Sequence, residues 1–224
     1  MSLPTVTDRR GNERKEIWLK ESELVPILHT RLLHGDRLTC CCGDLLTTNY
    51  YRFDVRSRST GNSTNIAYAG DGCSAKLIEL SGQIGRPISK LRLFDPLAAA
   101  PRAESGRGTG EQGNGGRVIW SPVNRELIDA ISLFCIAWRR TSLPDVLLTI
   151  RDEVESRPTV PHLRGAAALN TILRKFGGDQ RTLSQRLNAL RVDNPTLRHF
   201  PFVELRRILE ARRNDDDTPP TVYL

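Results

Sequence analysis

Four of the five cysteines in this chain sit at two spots, the run Thr39-Cys40-Cys41-Cys42-Gly43 and the stretch Gly70-Asp71-Gly72-Cys73. A tight turn that carries two thiolates and closes on glycine is one half of a structural metal site. The glycine lets the backbone curl, so that its amides turn toward the sulfurs and share their charge. The other half commonly lies at a helix N-terminus, where the positive end of the dipole favours a thiolate. Cys73 suits that place, because Leu77, Ile78 and Leu80 mark a short helix just beyond it. The expected chemistry is coordination of structural zinc by Cys40, Cys42 and Cys73. A fourth ligand is needed. An upstream imidazole or Cys41 could supply it, with His34 preferred and His29 second. No His-Glu-x-x-His or His-x-Glu…Pro-Cys-x-x-Cys spacing is present, so the pattern points to a structural ion and not to a catalytic one. The fifth cysteine, Cys135, stands between Phe134 and Ile136 on an apolar helical face and reads as core.

The elements that must position these corners follow from periodicity and turn chemistry. Residues 1–16 are polar and charged and read as a flexible N-terminus. Ser22 can cap a short helix whose face carries Leu24, Ile27, Leu28 and Leu32, with Gly35 at its end. Tyr51, Phe53 and Val55 alternate with Arg52, Asp54 and Arg56 as in a half-buried strand. Ser59-Thr60-Gly61-Asn62-Ser63 turns the chain, and Ile66 and Tyr68 alternate on the way back. The order is helix, cysteine corner, hairpin, cysteine corner, helix. Over residues 38–83 this order resembles the treble-clef zinc fold, through Cys40, Cys42 and Gly43, then Thr60 and Gly61, then Gly70 and Cys73. The resemblance implies a structural zinc and no enzyme activity. It departs from the family at Lys76, where a second helix ligand would stand.

From Ala98 to Arg117 periodicity gives way to Ala, Gly, Pro and Arg, the composition of a linker. The literal Gly108-x-Gly110-x-x-Gly113 match inside it has neither the preceding strand nor the following helix that a dinucleotide site needs. Beyond it the pattern is helical. Ser121-Pro122 and Ser142 open helices, and further helices are predicted over 162–176, 183–191 and 202–213, with Gly177-Gly178 as a stop signal. The expected fold class is therefore α+β: a zinc-stapled helix/β-hairpin/helix domain over 17–97, a linker over 98–117, an all-α domain over 118–213, and a disordered tail over 214–224.

Hydrophobic residues make up 38% and charged residues 26%, which suits a soluble globular protein. Neither a signal-type N-terminus nor an apolar run of membrane-spanning length is present, so a cytoplasmic or nuclear protein with reduced thiols and no membrane partner is expected. The formal net charge is +7 and arginine dominates the basic residues, which favours phosphate-bearing partners. A non-enzymatic nucleic-acid-binding protein is the leading expectation. Arg52, Arg56 and Arg58 on the hairpin would meet phosphates. Arg181 and Arg186 would act from a helix-turn-helix-like pair, beside Ser184, Gln185 and Asn188. A second expectation is a protein-interaction adaptor. Leu143-Pro144-x-x-Leu147 is similar to the minimal F-box-like motif of polerovirus silencing suppressors, which implies capture of a ubiquitin-ligase adaptor through Leu143 and Leu147. A metal-dependent enzyme is the third.

Overall fold

The computed structural model describes residues 3–97, 119–176, 181–212 and 221–224. The predicted linker, the Gly108–Gly113 match, the Gly177-Gly178 stop and the acidic residues Asp215–Asp217 lie outside them. The fold is mixed α and β, with a four-stranded sheet and, in the C-terminal half, helices. No described helix is long and apolar enough to cross a membrane. The chain divides into two units: residues 1–96 with 134–144 and 192–194 in unit 1, and 97–133 with 145–191 and 195–224 in unit 2.

Unit 1 is built on strands β1 (Thr5–Val6), β2 (Ser22–Arg31), β3 (Asn49–Ser57) and β4 (Ser63–Gly70), in the order β1-β4-β3-β2. The β3–β4 pair is the hairpin expected from alternation, and β1 runs parallel to β4. Two helices belong to the same unit, α1 (Asn12–Glu21) and α2 (Asp71–Gln83). The helix expected from Ser22 is strand β2, and the helix lies earlier, at Asn12–Glu21, its first half within residues 1–16 read as a flexible N-terminus. Leu24, Ile27 and Leu28 satisfy a helical spacing, but the run Leu-Val-Pro-Ile-Leu is equally a short apolar strand. Pairing with β3 decides between them, and Pro26 is tolerated because β2 is an edge strand whose register shifts between Pro26 and Leu28.

β3 is buried on both faces from Tyr50 to Val55. Tyr51, Phe53 and Val55 pack with Trp18 and Leu19 of α1 and Leu77 and Leu80 of α2. On the opposite face, the buried Arg52 reaches the carbonyls of Cys135 and Arg140. The expected half-buried strand with a charged outer face is thus a fully covered central strand.

Unit 2 is helical. It holds α3 (Pro122–Ala137) up to Leu133, together with α4 (Asp145–Ser156), α5 (Leu163–Phe176), α6 (Leu183–Asp193) up to Arg191 and α7 (Val203–Glu210). These match the predicted helices to within a few residues, because amphipathic spacing and start signals agree there. A polar clamp fixes one end: fully buried Asn124 donates to the carbonyls of Arg157, Pro158 and Val160 and accepts from the His162 amide. His162 Nδ1 accepts from the amide of Gly165, which leaves Nε2 as the ring's donor, 2.6 Å from Glu153 Oε2. Residues 221–224, expected to fray, are tied in: Asn170 bonds Thr221 and Tyr223, the Leu183 amide donates to the Tyr223 carbonyl, and Leu224 is buried.

Gly165 is where this packing is tightest. A Cβ there would lie 2.5 Å from Leu127 Cδ2 and 2.7 Å from His162 Nδ1. Gly165→Ala is expected to cost about 2 kcal/mol in urea unfolding through overpacking. Gly72→Ala, whose Cβ meets nothing within 4 Å, is expected to be neutral or slightly stabilising within helix α2.

Candidate metal centre

The first cysteine corner folds as a small hairpin of its own. Leu46 donates to Leu38 across 2.9 Å, Cys40 to Asp44 across 2.7 Å, and Gly43 closes the turn onto the Cys40 carbonyl at 2.8 Å. Gly43 has φ 94°, the left-handed region where a side chain is strained, and a Cβ would also press on the Thr7 carbonyl at 3.3 Å. The corner docks on the sheet edge. Cys41 donates its amide to Tyr68 of β4 at 2.6 Å, and its carbonyl accepts from Arg9 at 2.7 Å. β4 then runs directly into α2, which carries Cys73 in its first turn.

The sulfurs of Cys40, Cys41 and Cys73 consequently lie within 4.8 Å of one another, and no histidine or carboxylate among the described residues joins the group. Cys40 and Cys41 are buried and Cys73 is half-buried. Cys42, half-buried, borders the cluster, and its thiol donates to Asp44 Oδ2 at 3.3 Å. Asp44 is held in turn by Arg10 at 2.5 Å. Four thiols at one place form a soft donor set suited to ions such as zinc.

The electrostatics within the cluster are uneven. Cys40 is pulled down to about 4, first by the hydrogen bond from the Cys41 thiol and then by the amides of Cys42 and Gly70, which outweigh burial. These amides are the device that the glycine corners led us to expect. Cys41 is pushed well above the ordinary thiol range by its hydrogen bond to Cys40 and by burial, with the charge of Lys15 working the other way. Cys42 is pushed up to about 12, chiefly by burial, with the hydrogen bonds it makes to Cys40, Cys73 and Asp44 adding to it. Hydrogen bonds from Arg10 and then Cys42 hold the Asp44 carboxyl below its usual range.

Of the ligands read from sequence, Cys40 and Cys73 lie in the group, and Cys42 borders it. His34 does not: it is exposed, and its amide donates to Asn194 Oδ1 at 2.8 Å. His29 stacks on Tyr51 at 4.0 Å and points Nδ1 at the Leu91 carbonyl. The remaining sulfur is Cys41, and the signal for it was its place in the triple run. Lys76, at the expected second helix position, pairs with Glu79 at 2.9 Å.

The arginines expected to meet nucleic acid are placed differently. Arg52 is 6% exposed, and its guanidinium serves the carbonyls of Cys135 and Arg140 and the Tyr50 hydroxyl. Its burial removes it from any phosphate. Arg56 is held by Asp54 at 2.8 Å, and Arg58, exposed, donates to the Leu19 carbonyl at the end of α1. Arg181 is exposed and Arg186 half-buried at the start of α6. There Thr182 and Gln185 bond each other's amides as a capping box, Ser184 accepts from Arg206, and Asn188 accepts from Arg191. Ser184, Gln185 and Asn188, expected to read bases, are engaged in bonds at the cap of α6, within it and to α7. Leu143 and Leu147 of the Leu-Pro-x-x-Leu motif are buried at 3% and 0% exposure, with Pro144 half-buried between them. A docking motif needs its leucines at the surface, and these are core.

A family model described as "Uncharacterised conserved protein UCP028583" matches residues 7–224, and the chain belongs to that family. No curated protein and no solved structure matches it.

Removing Arg52 takes the guanidinium from the Arg140 carbonyl and the Tyr50 hydroxyl, and leaves the Cys135 carbonyl with the Arg140 amide alone. Arg52→Ala is expected to cost about 3 kcal/mol in chemical denaturation. Arg58→Ala, at an exposed position, is expected to cost less than about 1 kcal/mol in the same measurement.

Proposed function

We propose that this family member is a metal-thiolate protein in which Cys40, Cys41 and Cys73 hold a zinc ion with a structural role. The observation that carries the reading is the convergence of three sulfurs within 4.8 Å from two separate segments. Such an ion would tie the 38–46 corner to the first turn of α2 and so lock both to the edge of β4. The treble-clef-like order of corner, hairpin and helix supports zinc, and so does an all-sulfur donor set. Cys42 lies on the more exposed side, where it can complete the tetrahedron or leave that position to solvent. With no imidazole or carboxylate of the described residues in the group, the centre lacks the general base that a hydrolytic zinc site uses. We read the protein as non-enzymatic because an all-sulfur set in a treble-clef-like order is the pattern of a structural zinc site.

Purified protein is expected to carry an equimolar amount of zinc by elemental analysis. Cys40→Ser, Cys41→Ser and Cys73→Ser should each lose it and melt about 10 °C or more below the wild type, because structural metal binding is folding free energy. Cys42→Ser should keep most of the metal. A metal-free wild type whose melting is indifferent to chelator would overturn the reading.

Nucleic acid as a partner is a second proposal, favoured by the net charge of +7. Its phosphate contacts would come from exposed arginines such as Arg58 and Arg181 and not from Arg52. Anisotropy of labelled single-stranded and duplex probes should then show binding at low salt that falls steeply as salt rises. A flat, unbound signal at low salt would remove this proposal and leave the metal centre standing.

A further inference from the structure

The three sulfurs that converge do not meet solvent equally. Cys40 and Cys41 are buried, while Cys73, in the first turn of α2, is half-buried. All five cysteines of the chain are free thiols. The sulfurs of Cys40, Cys41 and Cys73 lie within 4.8 Å of one another, and a disulfide holds its sulfurs about 2 Å apart. Rotation about the side-chain bonds of two residues covers that difference. Cys40 and Cys41 are poorly suited to each other. Adjacent α-carbons stand about 3.8 Å apart, short of the roughly 4.4–6.8 Å span that a disulfide prefers. Each is offered Cys73 instead, from a separate segment. One sulfur nearer solvent, with two buried sulfurs behind it, is the arrangement of a thiol that meets an oxidant and a thiol that resolves it.

We propose that Cys73 is an oxidation site for hydrogen peroxide, and that it closes onto Cys40 or Cys41 as a reversible disulfide. The switch uses the sulfurs of the metal centre above and does not require the ion. In the first step the Cys73 thiolate attacks one peroxide oxygen. The S–O bond forms, the O–O bond breaks, and the departing hydroxide takes up a proton and leaves as water. In the second step a thiolate of the buried pair attacks the Cys73 sulfenic sulfur. The S–S bond forms, the S–O bond breaks, and the second hydroxide leaves as water after protonation. The two sulfurs together lose two electrons, and the peroxide gains them. Where zinc is held, two of its three thiolates are consumed and the ion is released. The disulfide then joins the 38–46 corner to α2 in the ion's place, so the two segments stay tied in both states.

The test is treatment of the full chain with hydrogen peroxide, followed by alkylation of the free thiols, digestion and mass mapping. Peroxide should lower the thiol count of the denatured protein by two, from five. The map should show Cys73 joined to Cys40 or Cys41, and dithiothreitol should restore both thiols. The triple variant Cys40→Ser, Cys41→Ser, Cys42→Ser has no neighbouring sulfur to resolve the intermediate, so dimedone should label Cys73 as its sulfenic acid. A Cys40–Cys41 bridge, a bridge that omits Cys73, thiols left intact, or a triple variant without label at Cys73 would each overturn the assignment. If the triple variant does not fold, the map of the wild type decides alone. Zinc-loaded protein, followed with a chromogenic chelator, should release its ion in step with the disulfide. A Cys73 disulfide in protein that never takes up zinc upholds this assignment and overturns the metal reading. Zinc retained beside intact thiols does the reverse.

Discussion

Unit 1 depends on the seating of the 38–46 corner against the edge of β4, through the hydrogen bond from the Cys41 amide to the Tyr68 carbonyl. An exposed strand edge offers unpaired amides and carbonyls, and here it is used as a template. The corner takes one stretch of it, and Pro4 and β1 take another, with Ile66 donating to the Pro4 carbonyl at 3.0 Å. Because β4 continues into α2 without a loop, whatever docks near Tyr68 lies beside the helix start at Asp71–Cys73. Convergence of the sulfurs follows from that docking. A one-residue slip of the corner would turn its sulfurs away from the cluster, because alternate side chains on an extended segment point to opposite faces.

Unit 1 also manages an uncommon amount of interior charge, and each group is treated by a different device. Arg52 is neutralised by dipoles, with two backbone carbonyls and a tyrosine hydroxyl around it and the Tyr68 ring 5.5 Å beneath its guanidinium. Asp54, fully buried, has one oxygen on Arg56 and the other without a partner among the described residues. Charges kept inside a protein are expensive unless paired, so their presence marks places where the surroundings are specified with care. The alternating arginines of β3, which as sequence resemble a phosphate-binding strand, belong to this interior chemistry.

Unit 2 uses neutral polar groups for the same purpose. Asn124 spends both ends of its amide on one turn of backbone, and Asn170 does so for the last residues of the chain. Each replaces a run of regular secondary structure as the partner of otherwise unpaired backbone groups. That arrangement lets the irregular segments 157–162 and 221–224 be held without a sheet.

What could be read from the amino-acid order alone was local. Helices α3 to α7 announce themselves through caps and amphipathic spacing, and the β3–β4 hairpin through alternation around Thr60-Gly61. The two cysteine corners were legible too, because Gly43 and Gly70 shape backbone within a few residues of the sulfurs. The tertiary structure alone decided the rest. Whether Leu24 to Leu28 formed a helix or a strand depended on β3 being available as a partner, a contact distant in sequence. Which fourth group approached the sulfurs depended on how the corner sat on β4, and this brought in Cys41 and left His34 outside. Whether Arg52, Leu143 and Leu147 were surface or core depended on packing that residue type does not encode, since an arginine finds dipoles inside and phosphates outside with the same guanidinium. Lys15 could not be placed until α1 was seen to be a helix, because only then do its neighbours Trp18 and Leu19 share its face.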